Sequence, residues 1–400
     1  MTSPDTALLP RSAAACDPAE SSALRICTRT VMDTTDPDIT FDESGVSNHW
    51  HEYHALTREQ LLPPEKAAVE LSRVAQNIRN WGRGKAYDCV LGLSGGVDSS
   101  YLAHLAVELG LRPLLVHFDN GWNTELAVGN IERLVKGLNL DLFTFVMDWP
   151  EFRDLQRSYF KASVLDLDVP ADHMIFGALY KIARRHRLKV ILSGGNIVTE
   201  AILPKKWYYP KFDIANLKGI HRRYGTLPLR HLPAMGLGQM IYYGGVLGIV
   251  QVKLLDLIAY DKRAAKNLLM TKYGWRDYGG KHYESIFTRF YQGYILPRKF
   301  NIDKRKAHLS NLICSGQLMR GEALQELQQP TYDPALQLED KSYVAKKLGF
   351  SEEEFEKILT LPNRDHREFG SDAVWRRRYF RAMTAMQPVT SSINRLRKRM

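Results

Sequence analysis

A short apolar run, Tyr87–Leu93, leads straight into Ser94-Gly95-Gly96-Val97-Asp98-Ser99-Ser100, and a helical pattern continues from Ser99 to Leu109. A strand that becomes a helix through paired glycines restricts the fold more than any other feature of the chain. Glycines let the backbone approach an anion with no Cβ in the way. The N–H groups freed at the helix start then bind negative charge. Ser94, Ser99 and Ser100 add hydroxyl donors. A Walker-type loop would carry Gly-Lys-Ser or Gly-Lys-Thr, and a dinucleotide fingerprint a third glycine near Ser99; neither is present. The alternative is a Ser/Gly turn in which Asp98 and Ser99 only cap the helix. The strand before it and the helix after it favour a phosphate cradle.

Further strands are expected at Leu114–Phe118, Leu140–Val146 and Val190–Leu192, with helices at Thr124–Leu138 and Asp172–His186. Such alternation predicts an α/β fold, a parallel sheet with helices on both faces. Ligands of such sheets bind beyond the carboxyl ends of the strands. The second strand ends in His117-Phe118-Asp119, and the fourth leads into Ser193-Gly194-Gly195-Asn196. His117, Asp119, Gly194, Gly195 and Asn196 are therefore candidate ligand-binding positions. Asp98 and Glu200 are candidates for Mg2+, because a carboxylate beside a triphosphate suits that ion. The other reading of Asn196 and Glu200 is that they cap and support the next helix. Trp122 is open between packing and a role beside the nucleotide. Beyond residue 205 the alternation fades into helices and aromatic loops, and Ser351-Glu352-Glu353-Glu354 is a capping box.

Composition excludes little. Hydrophobic residues make up 44% and charged residues 25%, as in ordinary globular proteins. Cys16, Cys27, Cys89 and Cys314 show no pairing intervals, which suits a reducing cytosol. Residues 1–24 read as a disordered leader without a signal-peptide pattern. Ala234–Val252 is the most apolar stretch, but its five glycines favour a buried helix or an oligomer contact over a membrane span. The net charge of +11 is concentrated at the end: eight Lys or Arg and no acid lie between Trp375 and Met400, so the rest carries 11 − 8 = +3. That tail reads as solvated. Its sharper alternatives are contact with nucleic acid, an anionic membrane surface or an acidic partner.

The loop resembles the SGGxDS signature of PP-loop ATP pyrophosphatases, which split ATP into AMP and pyrophosphate. Longer segments narrow the resemblance. They are Cys27–Thr34, Ile39–Asp42, Gly45–His51, Gly274–Ser285, Phe287–Phe290, Asp303–Ser310 and Ser315-Gly316-Gln317. Together they look like the N-acetyl sugar amidotransferase family of surface-polysaccharide synthesis. The resemblance implies an adenine-nucleotide-hydrolase-like fold, with ATP and Mg2+ as cofactors and an acetamido sugar on a nucleotide as acceptor. It implies conversion of the acetamido group to an acetamidino group for O-antigen or lipopolysaccharide. Its ammonia would come from a glutaminase through a barrel-type channel subunit. With the pattern and composition above, the chain is expected to divide into a leader (1–24), a knuckle-like segment (25–60), a catalytic domain (61–205), a substrate-binding extension (206–330) and a helical region with a basic tail (331–400).

The chain departs from the family in its knuckle. Of four expected cysteines only Cys27 stands; the other positions hold Thr30, Ser47 and Trp50, so no zinc is expected. His49, His51 and His54 read as exposed polar residues. His282 and Glu284 are candidates for handling protons or the sugar. Lys304 and Arg305, with Lys306, are candidates for neutralising phosphate charge; the alternative is a surface helix with its charges in water. A tRNA-modifying PP-loop enzyme is the competing function. No RNA-binding module is recognisable, so no nucleic acid is expected. No cysteine lies in a recognisable nucleophile turn, so ammonia, not glutamine, is the expected substrate of the isolated chain.

Overall fold

The computed structural model describes residues 24–280 and 283–385. Its centre is a sheet of five parallel strands: β1 (Cys89–Gly92), β2 (Pro113–Asp119), β3 (Leu142–Val146), β4 (Val190–Leu192) and β5 (Val250–Val252). Their order is β3-β2-β1-β4-β5. The chain moves outward from β1 to β3 and then returns across β1 to β4. That reversal opens a crevice at the carboxyl ends of β1 and β4. The helices that precede the sheet are α1 (Asn48–Gln60) and α2 (Pro64–Gly82). Among the strands run α3 (Val97–Glu108), α4 (Glu125–Leu138), α5 (Trp149–Ala162) and α6 (Val169–Arg185).

Alternate residues of β1 serve opposite faces, as the two-residue repeat of a strand requires. Cys89 and Leu91 pack with Leu102 and Ala103 of α3 and Ile131 and Leu134 of α4. Val90 packs with Leu179, Ile182 and Ala183 of α6. A third core, without strands, is built around Trp122, Phe152, Phe160, Trp207, Phe287, Phe290 and Phe355. It joins α5 and α6 to the helices beyond residue 285. Trp122 thus resolves as a packing residue, 1% exposed, with its indole N–H on Gln156 at 2.9 Å.

The knuckle keeps its shape through hydrogen bonds and packing. Cys27, Thr30 and Ser47 are fully buried. The Ser47 N–H donates to Cys27 Sγ at 3.2 Å, and the Arg320 guanidinium donates to the carbonyls of Cys27 and Thr30, each at 2.9 Å. His49 departs from the exposed position expected of it. As the second residue of α1 it turns inward and bonds Asp36 at 2.7 Å. His51 pairs with Asp42 instead of approaching Cys27.

Ala234–Val252 is not one helix. Leu237–Met240 is a single helical turn, Ile241–Val246 a wider π-type turn, and Val250–Val252 the edge strand β5. Glycine is a poor helix former, and Gly248 takes a left-handed φ of +65° that ends the turn. Among the described residues, no helix is long and apolar enough to cross a membrane.

Candidate active site

The loop between β1 and α3 is shaped by Gly95. Its φ is +85°, and a Cβ there would lie 2.8 Å from the Ala127 carbonyl oxygen of α4. The loop therefore sits tightly on α4 with its polar groups turned the other way. The Ser94 and Ser99 hydroxyls lie 3.1 Å apart, the Gly96 N–H donates to Ser94 Oγ at 3.2 Å, and Ser99 Oγ donates to the Gly96 carbonyl at 3.2 Å. From behind, the Trp275 indole N–H donates to the Gly95 carbonyl at 3.0 Å. Ser100 is different from its neighbours. It is fully buried beneath the loop and lines neither cavity described below.

The turn after β4 closes on this loop. A Cβ at Gly194 would lie 3.3 Å from the Ser99 backbone nitrogen, and one at Gly195 would lie 3.4 Å from a Glu200 carboxylate oxygen. Asn196 acts as a cap: its Oδ1 accepts from the Thr199 N–H at 2.9 Å and the Thr199 hydroxyl at 3.0 Å. It is 2% exposed, which matches the supporting role weighed for it above. Asp98 bonds the Tyr260 hydroxyl and lies 3.9 Å from the Lys262 ammonium. Burial, followed by the Asp98 charge, holds the Tyr260 phenol far above its ordinary range. Tyr260 is therefore a fixed donor to Asp98.

Two cavities flank the loop. The larger, about 680 Å³, takes in Gly96, Asp98, Ser99, Glu200, Lys262 and Tyr278. The smaller, about 430 Å³, lies over the α6 face and is walled by His117, Phe118, Ile175, Phe176 and Leu179. Five residues belong to both: Ser94, Gly194, Glu284, Gln292 and Lys304. Lys304 is half-buried at the N-cap of the helix Arg305–Cys314 and lines both cavities. Burial lowers its pKa, opposed by Asp166 and Asp168. Beside it, Lys211 bonds Asp166 at 2.9 Å and Asp172 at 2.8 Å. Burial alone would depress Lys211, yet these carboxylates raise it well above its usual value. Asp168 lines the smaller cavity, and burial raises its pKa.

The remaining candidates fall in several places. Glu284 approaches the loop: a Cβ at Gly96 would be 3.3 Å from its carboxylate. Arg305 lines the larger cavity but is committed to Asp303 at 2.7 Å and to the carbonyls of Glu326, Gln329 and Pro330. His117 faces the smaller cavity, and burial lowers its pKa. Asp119 lines neither cavity; its carboxylate accepts from the Gly121 N–H at 2.9 Å and shapes the turn. His282 lies outside the described residues. Sequence reasoning passed over Tyr260, Lys262, Tyr278, Lys211, Asp168 and Gln292. They come from segments with no strand–loop–helix signal, and only the tertiary fold brings them to the loop.

Residues 284–383 match the family model described as LPS biosynthesis protein WbpG-like, C-terminal domain. No curated protein matches the chain. Similar solved structures include an NMN synthetase from Francisella tularensis, 16% identical, covering 72% of this chain and 98% of that one at a TM-score of 0.34. Another is an NH3-dependent NAD synthetase from Campylobacter jejuni subsp. jejuni NCTC 11168, 14% identical, covering 76% and 100% at a TM-score of 0.29. Neither superposition is close enough to bear on the site. The matched region starts at the cavity residue Glu284 and runs on through the C-terminal helices, and it is what this chain shares with LPS biosynthesis proteins that have a WbpG-like C-terminal domain.

Proposed function

We propose that the chain uses ATP to activate an acetamido oxygen of a nucleotide-linked sugar, and that ammonia then replaces that oxygen. The junction of the two cavities carries this reading. The glycine loop borders both through Ser94, and Lys304 and Glu284 stand where they meet. The apolar walls at Phe118, Ile175 and Phe176 suit a planar base. The loop and Lys262 suit the pyrophosphate, and the rest of the larger cavity suits the sugar. The amide oxygen attacks the α-phosphorus and pyrophosphate leaves. Ammonia attacks the resulting imidate carbon, and AMP leaves with the original oxygen. An amide oxygen is a poor leaving group, and adenylation makes it a good one.

Loop N–H groups and lysines act where charge develops, which is the most effective place for them. Phosphate arriving beside Lys304 would favour its charged form, which burial disfavours. Asp98 and Glu200 both line the larger cavity and would hold Mg2+, an ion that needs only one or two protein carboxylates when phosphates and waters complete its shell. When bound, Mg2+ would offset the charge of the pyrophosphate.

The thiols of the described residues support ammonia as the nitrogen source. Among the described residues, Cys89 is fully buried and burial raises its pKa, Cys314 is pushed up to about 12 by burial, and Cys27 is fully buried in the knuckle. None offers an accessible thiolate, so the reading includes ammonia delivered by a separate glutaminase and channel subunit. The test is incubation of the isolated chain with ATP, a nucleotide-linked diacetamido uronic acid and either ammonium chloride or glutamine. AMP, pyrophosphate and an amidine are expected with ammonium only. ADP as the coupled product, or an amidine made from glutamine without a second protein, would overturn it.

A further inference from the structure

Away from the cavities, two segments expose apolar side chains side by side. On the turn before β5, Ile241 and Tyr242 are each 37% exposed and Val246 is 71% exposed; on the helix Ala373–Ala385, Val374 is 57% and Trp375 63% exposed. The segments adjoin, since a Cβ at Gly245 would lie 4.0 Å from the Tyr379 hydroxyl. Trp375 precedes Tyr379 by four residues and so shares its stripe of the helix. Guanidinium groups border the patch. Arg378 lies over the Trp375 ring at 5.3 Å, Arg184 lies over Tyr242 at 5.5 Å, and Arg377 and Arg381 are exposed. From Trp375 to the end the sequence has eight basic residues and no acid.

The patch also has a definite place relative to the site. Tyr243 stacks on Tyr180 at 5.3 Å, near the C-terminal end of α6. α6 also lines the smaller cavity, from Asp168 to Leu179, the residue before Tyr180.

We propose that this patch seats the protein on an anionic lipid surface. Aromatic side chains favour the bilayer interface, and basic residues beside them are drawn to acidic headgroups. Aliphatic Ile241, Val246 and Val374 gain from burial among acyl chains and gain nothing from stacking on nucleic-acid bases. Charge of a single sign fits a lipid leaflet.

The test spins the full chain with vesicles of phosphatidylcholine alone and of phosphatidylcholine and phosphatidylglycerol in equal parts, at low and high salt. Sedimentation is expected with the anionic vesicles only, and salt should weaken it. Two double variants, Val246→Glu with Trp375→Glu and Arg377→Glu with Arg378→Glu, should each bind about ten-fold or more weakly. All four positions are exposed, and circular dichroism checks that the variants fold. Absence of binding to anionic vesicles overturns the proposal, as does binding that both double variants leave intact. A patch that instead holds a mixed-sequence RNA, or a second copy of the chain by sedimentation velocity, with vesicle binding absent, also overturns it.

Discussion

The glycine loop and the surroundings of Asp213 are both crowded with polar groups, and they use them in opposite ways. Asp213 is fully buried and every lone pair is taken. It accepts from the Tyr209 hydroxyl at 2.8 Å, from the backbone of Asn216 at 3.1 Å and Asp372 at 3.0 Å, and from the Ser371 hydroxyl, with Arg376 at 3.7 Å. Asn216 passes the network to His366 Nδ1 at 2.8 Å, and the His366 ring stacks on Tyr209 at 3.8 Å. In the loop, the hydroxyls of Ser94 and Ser99 bond each other and the loop backbone at 3.1–3.3 Å and border a cavity. The Asp213 carboxylate is saturated inside the fold, whereas the loop hydroxyls stand at the edge of a cavity.

Acid should expose the contrast most strongly. Burial pushes His173 and His366 down to about 4, against about 6.5 in an unfolded chain. Between those values the unfolded state binds more protons, so stability rises with pH and is lost as pH falls through the window. Each histidine accounts for up to roughly 3 kcal/mol. Melting followed from pH 7 to pH 4 should show a steep loss, and a flat profile would mean that these rings are not held neutral.

Asp213→Ala comes next. Breaking a buried ionic network costs about 3–5 kcal/mol, so the melting temperature should drop while turnover per folded molecule persists. Asp98→Asn should do the reverse, with turnover down by about 10²–10³ and an unchanged melting temperature. If the two variants cannot be told apart by this pair of measurements, the contrast between the regions fails. The smallest effect belongs to Phe176→Ala. Loss of an apolar wall of the smaller cavity should raise KM for ATP by about ten-fold with kcat kept. A change in kcat alone would move the base elsewhere.

Much of the α/β half was legible because local pattern and global fold agree there. The strand at Val190–Leu192 was placed to the residue, and β1, β2, β3, α3 and α4 to within two residues at every end. β5 was not legible: three residues after a glycine-rich turn carry no alternation to read. Helix α5 was missed although Asp148 caps it, accepting from the Glu151 N–H at 3.1 Å. At the site, the loop glycines announced themselves through conformation, and Lys304 and Glu284 through a longer resemblance. Tyr260 and Lys211 have no local signal, since what defines them is a partner more than forty residues away along the chain or a charge met only after folding. Asp119 stands at the end of a strand, a good place for a ligand and an equally good place for a turn, and its carboxylate is engaged in the turn.

The bond from the Trp275 indole to the Gly95 carbonyl has an optical consequence. The ring is 2% exposed and its N–H points at the glycine whose left-handed backbone sets the loop. Indole emission responds to what that N–H meets, so any movement of the Gly95 carbonyl changes the light that Trp275 gives back. The loop thus carries a built-in fluorophore on its inner side, on a residue that lines neither cavity.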